Sequence, residues 1–152
     1  ITFNSLTNLV SICNTDDKKI IWSFINQYDS NLSPSSNPEF DKLIDYAINY
    51  YNDFVLPNKK YLEINSDNKI VFQDMLKVLK LEISETNSAE EIQTLLYEVG
   101  KKHQFENLKD FFKLVYQVLL GQEQGPRLGS FIKLYGLQET IKIIEEKVNF
   151  HE

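Results

Sequence analysis

Side chains that could grip an anion or the edge of a nucleic-acid base are concentrated in one stretch near the C-terminal end. Arg127 is the only arginine in the chain, and its planar guanidinium can donate a fork of hydrogen bonds to a phosphate or a base. Lys133 follows six residues later, which corresponds to about 9 Å along a helix. The sequence therefore predicts a polar RNA-binding site, with Gln122, Gln124, Arg127, Ser130, Lys133 and Tyr135 as its candidate residues.

The elements that must position these side chains are a glycine-rich turn and the helix after it. Gly121 is expected to end one helix in the left-handed conformation, and Pro126 is expected at the first position of the next helix. The start of that helix would direct free N–H groups and a positive dipole end towards an anion. Phe131 and Tyr135 lie four residues apart, so they share one helix face, where aromatic rings could stack on unpaired bases.

A purely structural interpretation of the same residues is also open. Phe131 fits an ordinary core stripe, and Tyr135 is compatible with either the core or the surface. Arg127 could form a surface ion pair. The small and rigid residues of the stretch could serve turn geometry and close helix packing without any ligand: Gly125, Pro126 and Gly129.

The residues needed for catalysis do not come together in this sequence. The two histidines, His103 and His151, and the single cysteine, Cys13, are far apart. Zinc-ligand spacings and phosphate-binding glycine loops are absent. Paired acids such as Glu90 and Glu91 stand at a helix start, where they compensate the dipole. We therefore expect neither a catalytic residue nor a bound metal or cofactor in this chain.

Charge and composition limit the choice of partners further. The net charge of −6 argues against a generic nucleic-acid binder. Residues 1–92 carry eight lysines against fourteen acidic residues, whereas residues 93–152 are balanced, so a polyanion is expected to meet the C-terminal part. The lone cysteine fits a reducing cytoplasm, and no apolar run approaches a membrane span. The absence of an initiator methionine at Ile1 suggests part of a longer protein.

Apolar periodicity predicts an all-α protein. Turn residues and a change of pattern near residues 83–87 predict two small helical subdomains, residues 1–84 and 85–152. The stretch 54–68 is ambiguous, since Lys59 to Ile64 fits a short strand or an extended connector. Helices are predicted over residues 5–13, 15–28, 37–51, 71–81, 88–99, 107–120, 126–135 and 137–148.

The stretch Leu119–Gly136 resembles the C-terminal end of bacterial class I lysyl-tRNA synthetases. The segments Leu43–Val55, Ala89–Gln93 and Tyr97–Gly100 are similar to other parts of the same region. The resemblance implies an N-terminal helical bundle that contacts the tRNA stem and a C-terminal α-helix cage that holds the anticodon.

The resemblance also implies partners and a parent activity. The partners would be the anticodon loop of lysine tRNA and an upstream catalytic domain of the same chain, with no role for DNA or a membrane. That domain would use ATP and Mg²⁺ to make lysyl-adenylate and charge the tRNA. Its HIGH and KMSKS signatures are absent here, so this part alone is expected to be non-catalytic and cytoplasmic.

Two alternatives stay open at the level of sequence. Glutamyl-tRNA synthetases carry a similar C-terminal helical cage, although the order Gln-Glu-Gln-Gly-Pro-Arg at 122–127 favours the lysyl enzyme. A helical protein–protein interaction module without an RNA role is the other. Such a module would present a broad exposed apolar face in place of a polar groove.

Overall fold

A computed structural model describes residues 1–149 and confirms the all-α prediction, because these residues contain helices and no strand. A π-helical turn (Tyr51–Val55) and a short 3₁₀ turn (Leu56–Asn58) follow the third helix. The α-helices are Phe3–Cys13 (α1), Lys18–Tyr28 (α2), Pro38–Tyr50 (α3), Ser66–Leu81 (α4), Ala89–Lys102 (α5), Leu108–Leu119 (α6), Leu128–Tyr135 (α7) and Leu137–Asn149 (α8).

Side-chain caps define where several of these helices begin. Ser88 and Glu91 form the reciprocal capping box expected at the start of α5. The start of α4 was predicted wrongly, since the helix begins at Ser66 and not at Val71. Asn65 and Asn68, taken from the sequence as turn residues, form a second capping box. Asparagine serves both turns and N-caps because its amide bonds nearby backbone groups, so composition alone does not separate the two.

The ambiguous segment from Lys59 to Asn65 is an extended connector that completes the end of α6. The backbone N–H of Lys60 donates to the Gly121 carbonyl at 3.0 Å, and that of Leu62 donates to the Gln117 carbonyl at 3.0 Å. Carbonyls at a helix C-terminus have no partner within the helix. The connector therefore stabilises the turn after α6 and places Lys59, Lys60 and Tyr61 beside it.

One apolar core joins side chains from all eight α-helices of the described residues. Helix α7 packs against α5, and also against α1 and α2, while α4 packs against α8. These contacts connect residues before and after position 84. The division into units 1–84 and 85–152 stays a prediction, and the position of α7 at the centre of the packing explains why its residues are mostly buried.

Candidate nucleic-acid interface

The turn between α6 and α7 is shaped by close packing on Tyr116. Gly121 has φ of +70°, the left-handed conformation predicted for the end of α6. A Cβ atom on Gly125 would lie 2.6 Å from Cδ1 of the Tyr116 ring. The Tyr116 hydroxyl donates to the carbonyl of Pro126. The glycine and proline of this turn are therefore explained by packing within the chain.

The start of α7 faces helix α5. The prediction that Pro126 occupies its first position is wrong, because the helix begins at Leu128 with Arg127 as the N-cap. A Cβ on Gly129 would lie 2.1 Å from the Ala89 carbonyl oxygen. The Gly129 N–H donates to Oε1 of the buried Gln93 at 2.7 Å. The expected anion site at this helix start thus has one of its donors already occupied by the protein.

Arg127 lies on the surface in an ion pair. Its Nη2 is 2.9 Å from Oε2 of Glu90, and the two side chains are 53% and 77% exposed. Exposed pairs of this kind contribute about 0–1 kcal/mol, so a phosphate could replace the carboxylate. Ser130 is also exposed, on the next turn of the same helix.

Lys133 and Tyr135 occupy different surroundings from Arg127. The Lys133 ammonium donates to the Glu85 carbonyl at 2.9 Å and lines a groove of about 620 Å³. The Tyr135 ring stacks on Phe24 and Phe131, with centroids 5.1 and 5.8 Å away, and is 7% exposed. Burial raises the pKa of its hydroxyl. The proposed stacking of Tyr135 on a base is therefore corrected, because its ring packs in the core beside Phe131.

Gln122 lines another groove, of about 530 Å³, which also contains Tyr50, Phe54 and Lys60. Its Oε1 accepts a hydrogen bond from Ser11 Oγ at 3.0 Å. Gln124, two residues later, is exposed. The cavities lined by Gln122, Lys133 and Tyr135 are three different ones, so the six candidate residues do not form one constellation.

A row of exposed aromatic rings borders the groove at Gln122. The Tyr50 ring centroid lies 5.9 Å from that of Phe3 and 5.2 Å from that of Phe54. Tyr50 and Phe54 are 45% and 64% exposed. Exposed rings of this kind can stack on unpaired bases, and the amide of Gln122 and the ammonium of Lys60 supply hydrogen-bond donors nearby.

Lys59 connects this groove to helix α1. Its ammonium donates to the Ser11 carbonyl at 2.7 Å and to the Tyr51 hydroxyl at 3.1 Å. Ser11 thus contacts both Lys59 and Gln122. Burial, together with the nearby charge of Lys147, lowers the pKa of Lys59 to about 8.

The comparison with known proteins points to one family. Lysine--tRNA ligases of Rickettsia peacockii and Rickettsia bellii are 48% and 49% identical to this chain over 145 and 148 residues. The lysine--tRNA ligase of Rickettsia felis is 47% identical over 148 residues. Nearly the whole chain is similar to one part of lysine--tRNA ligases. The alignments cover 95–97% of this chain and 28% of each relative, and the expected resemblance is confirmed. No family model and no solved structure matches.

Similarity to a lysine--tRNA ligase segment draws attention to a signal that the sequence analysis missed. Tyr46, Tyr50 and Phe54 are spaced four residues apart, which places a second aromatic stripe on α3 outside its core face. The core stripe, containing Ile44 and Tyr51, was identified because its members are mostly aliphatic. The exposed stripe would have been found by asking which aromatic residues the core face does not contain.

Outside these grooves, the remaining reactive side chains have structural surroundings. His103 ends α5 with Nε2 2.6 Å from Oδ2 of Asp74, in agreement with its predicted helix-end position. Cys13 packs against the core, where burial raises its pKa to about 12. His151 lies outside the described residues. Within residues 1–149, no cluster of His, Cys, Asp and Glu could hold a metal ion, and no helix is long and apolar enough to cross a membrane.

Proposed function

We propose that this chain is the C-terminal part of a class I lysine--tRNA ligase and binds the anticodon loop of lysine tRNA. The observation that carries the proposal is the exposed row of Phe3, Tyr50 and Phe54 beside the groove that contains Gln122 and Lys60. Single-stranded RNA is recognised by stacking of unpaired bases on aromatic rings and by polar contacts to their edges. This surface offers both kinds of group.

The parent protein would join lysine to its tRNA with ATP and Mg²⁺, in a catalytic domain upstream of this part. The names of the relatives support that activity, and its site belongs to the rest of their length. In this proposal the present chain selects the tRNA in the cytoplasm and carries no catalytic residue.

The charge of the chain determines how such an RNA would be held. With a net charge of −6, phosphate neutralisation supplies little of the affinity unless the cations are local. Stacking contributes about 1–3 kcal/mol for each base. We therefore expect binding to depend more on the aromatic row than on the overall charge.

Replacement of the ring that is most exposed tests the proposal. Phe54→Leu should weaken binding of an RNA hairpin with the anticodon stem and loop of lysine tRNA by about 5- to 150-fold, because one stacking platform is lost. The measurement is fluorescence anisotropy of the labelled hairpin. Tyr46→Leu is the matched control, since Tyr46 is exposed on the same helix but does not line the groove.

Equal affinities of the wild type, Phe54→Leu and Tyr46→Leu would contradict the stacking site. Arg127→Ala examines the original candidate in the same assay. It should weaken binding only if the guanidinium exchanges Glu90 for a phosphate, and that loss should shrink as salt increases. A preference for the hairpin of glutamate tRNA would exclude the lysyl assignment.

The exposed aromatic row also favours a second candidate function. Tyr46, Tyr50, Phe54 and Leu56 are all exposed, and an apolar surface of this kind is typical of protein–protein contacts. If the wild type shows no hairpin binding at low salt but self-associates in sedimentation, and Phe54→Leu abolishes that association, the interaction-module alternative replaces RNA binding.

A further inference from the structure

Two ammonium groups flank the ring of Tyr61. Lys59 Nζ lies 5.0 Å from the ring centroid, and Lys147 Nζ lies 4.2 Å from it. Within residues 1–149, neither ammonium forms an ion pair with a carboxylate. Burial lowers the pKa of both lysines. Two partly buried cations with no anion between them raise the free energy of the unliganded protein.

The lysine pair has hydrogen-bonding capacity to spare. An ammonium carries three donors, and Lys59 uses two of them for the Ser11 carbonyl and the Tyr51 hydroxyl. Lys147 contacts the ring face. Glu146 adjoins Lys147 and lines the neighbouring cleft together with Glu63, yet no carboxylate reaches either ammonium. An oxyanion with several acceptor atoms could satisfy the free donors of both lysines.

The position of the pair relates it to the aromatic groove. Lys59, Lys60 and Tyr61 are consecutive in the extended connector, so Lys60 points to the opposite side from its two neighbours. Lys60 lines the groove with Tyr50 and Phe54, whereas Lys59 and Tyr61 face Lys147. A strand whose bases occupy the groove would need to cross only this connector to bring a phosphate to the pair.

We propose that Lys59 and Lys147 form a phosphate-binding subsite beside Tyr61, which takes a backbone phosphate of the RNA strand held in the aromatic groove. The assignment to RNA rests on the proposed function, whereas the anion-binding capacity depends only on the lysine pair. Adjacent base and phosphate sites would explain how a chain of net charge −6 binds a polyanion, because the positive charge is needed only locally.

The salt dependence of hairpin binding tests the subsite. A contact to one phosphate of a single strand contributes about 0.7 to the slope of log affinity against log salt. Lys59→Met and Lys147→Met should each flatten this slope by about 0.7, and Lys147→Arg should restore it. Lys142→Met is the control, since Lys142 lies on α8 but lines a different groove. Circular dichroism checks that the variants are folded.

A second probe separates failure of the subsite from failure of RNA binding. Inorganic phosphate should shift the ring resonances of Tyr61 saturably in the wild type and not in the Lys59→Met, Lys147→Met double variant. If the hairpin binds but both lysine variants keep the wild-type slope, the subsite is refuted while the proposed function stands. If phosphate binds and the hairpin does not, the anion site is supported and the RNA assignment is refuted. Absence of both would overturn the subsite.

Discussion

Lys59 shows how one side chain can support structure while its own charge opposes burial. Its ammonium joins α1 to the π-helical turn through Ser11 and Tyr51, and its stem approaches Gly121, where a Cβ would lie 2.8 Å from Lys59 Cγ. A positive φ and this contact both require glycine at position 121. The same lysine therefore stabilises the turn that carries Gln122.

The lowered pKa of Lys59 predicts a specific pH dependence of stability. Its pKa is about 8 in the folded protein and about 10.4 in an unfolded chain. Between these values the unfolded state binds more protons, so the Lys59 contribution to stability increases from pH 8 towards pH 10. One group supplies at most about 1.4 kcal/mol per pH unit, and solvent screening at a partly exposed lysine reduces that value.

Urea denaturation of the wild type and Lys59→Met at pH 7 and pH 9.5 measures this effect. The free energy of unfolding of the wild type should rise relative to that of the variant at the higher pH. Because other titrating groups are shared by both proteins, only their difference is informative. The same difference at both pH values would show that Lys59 keeps an ordinary pKa.

At the level of elements, the packing of α7 on α5 depends on the lack of a side chain at position 129. The Ala89 carbonyl and the buried Gln93 amide both contact Gly129. These partners precede Gly129 by about ten turns of helix in sequence terms and meet it only after α5 and α7 associate. The contact also aligns Arg127 with Glu90 on the surface.

Gly129→Ala should therefore destabilise the protein. In an open helix this change stabilises by about 0.5–1 kcal/mol, because alanine is the better helix former. Here the added methyl would lie 2.1 Å from a backbone carbonyl, so the helices must separate, and we expect a loss of about 1–3 kcal/mol. Chemical denaturation measures it, with Ser130→Ala at the exposed neighbouring position as the control. A gain in stability for Gly129→Ala would show that the two helices are not held this closely.

For the whole molecule, the helix contacts extend across the boundary predicted at residues 84 and 85. Helix α4 packs on α8, and α1 and α2 both pack on α7. Since each half buries apolar surface against the other, neither would keep its full core alone. The connector that ends α6 adds a further link between the halves.

This packing predicts a single cooperative unfolding transition. Trp22 is the only tryptophan; it is 6% exposed and bonds Asp41, so its fluorescence reports on the N-terminal half. Far-ultraviolet circular dichroism reports on helices of both halves. The two signals should give the same midpoint in urea. Separate midpoints would instead support independently stable subdomains at 1–84 and 85–152.

Local chemistry was sufficient to predict much of this protein from its sequence. Apolar spacing of three and four residues predicted the helices, the Ser88–Glu91 box marked the start of α5, and Gly121 marked the end of α6. These signals act between residues a few positions apart, where a single sequence contains both partners. The relation to lysine--tRNA ligases was also present in the order of residues at 119–136.

Only the tertiary structure decided which side chains meet. Arg127, Gln122 and Lys133 looked like one site because they are close in sequence, yet their partners are Glu90, Ser11 and Glu85, from distant segments. The side of each short helix that reaches solvent depends on how α5 and α7 pack, and on the connector at Lys59. Such contacts arise from the combined burial of many side chains, which local spacing does not contain.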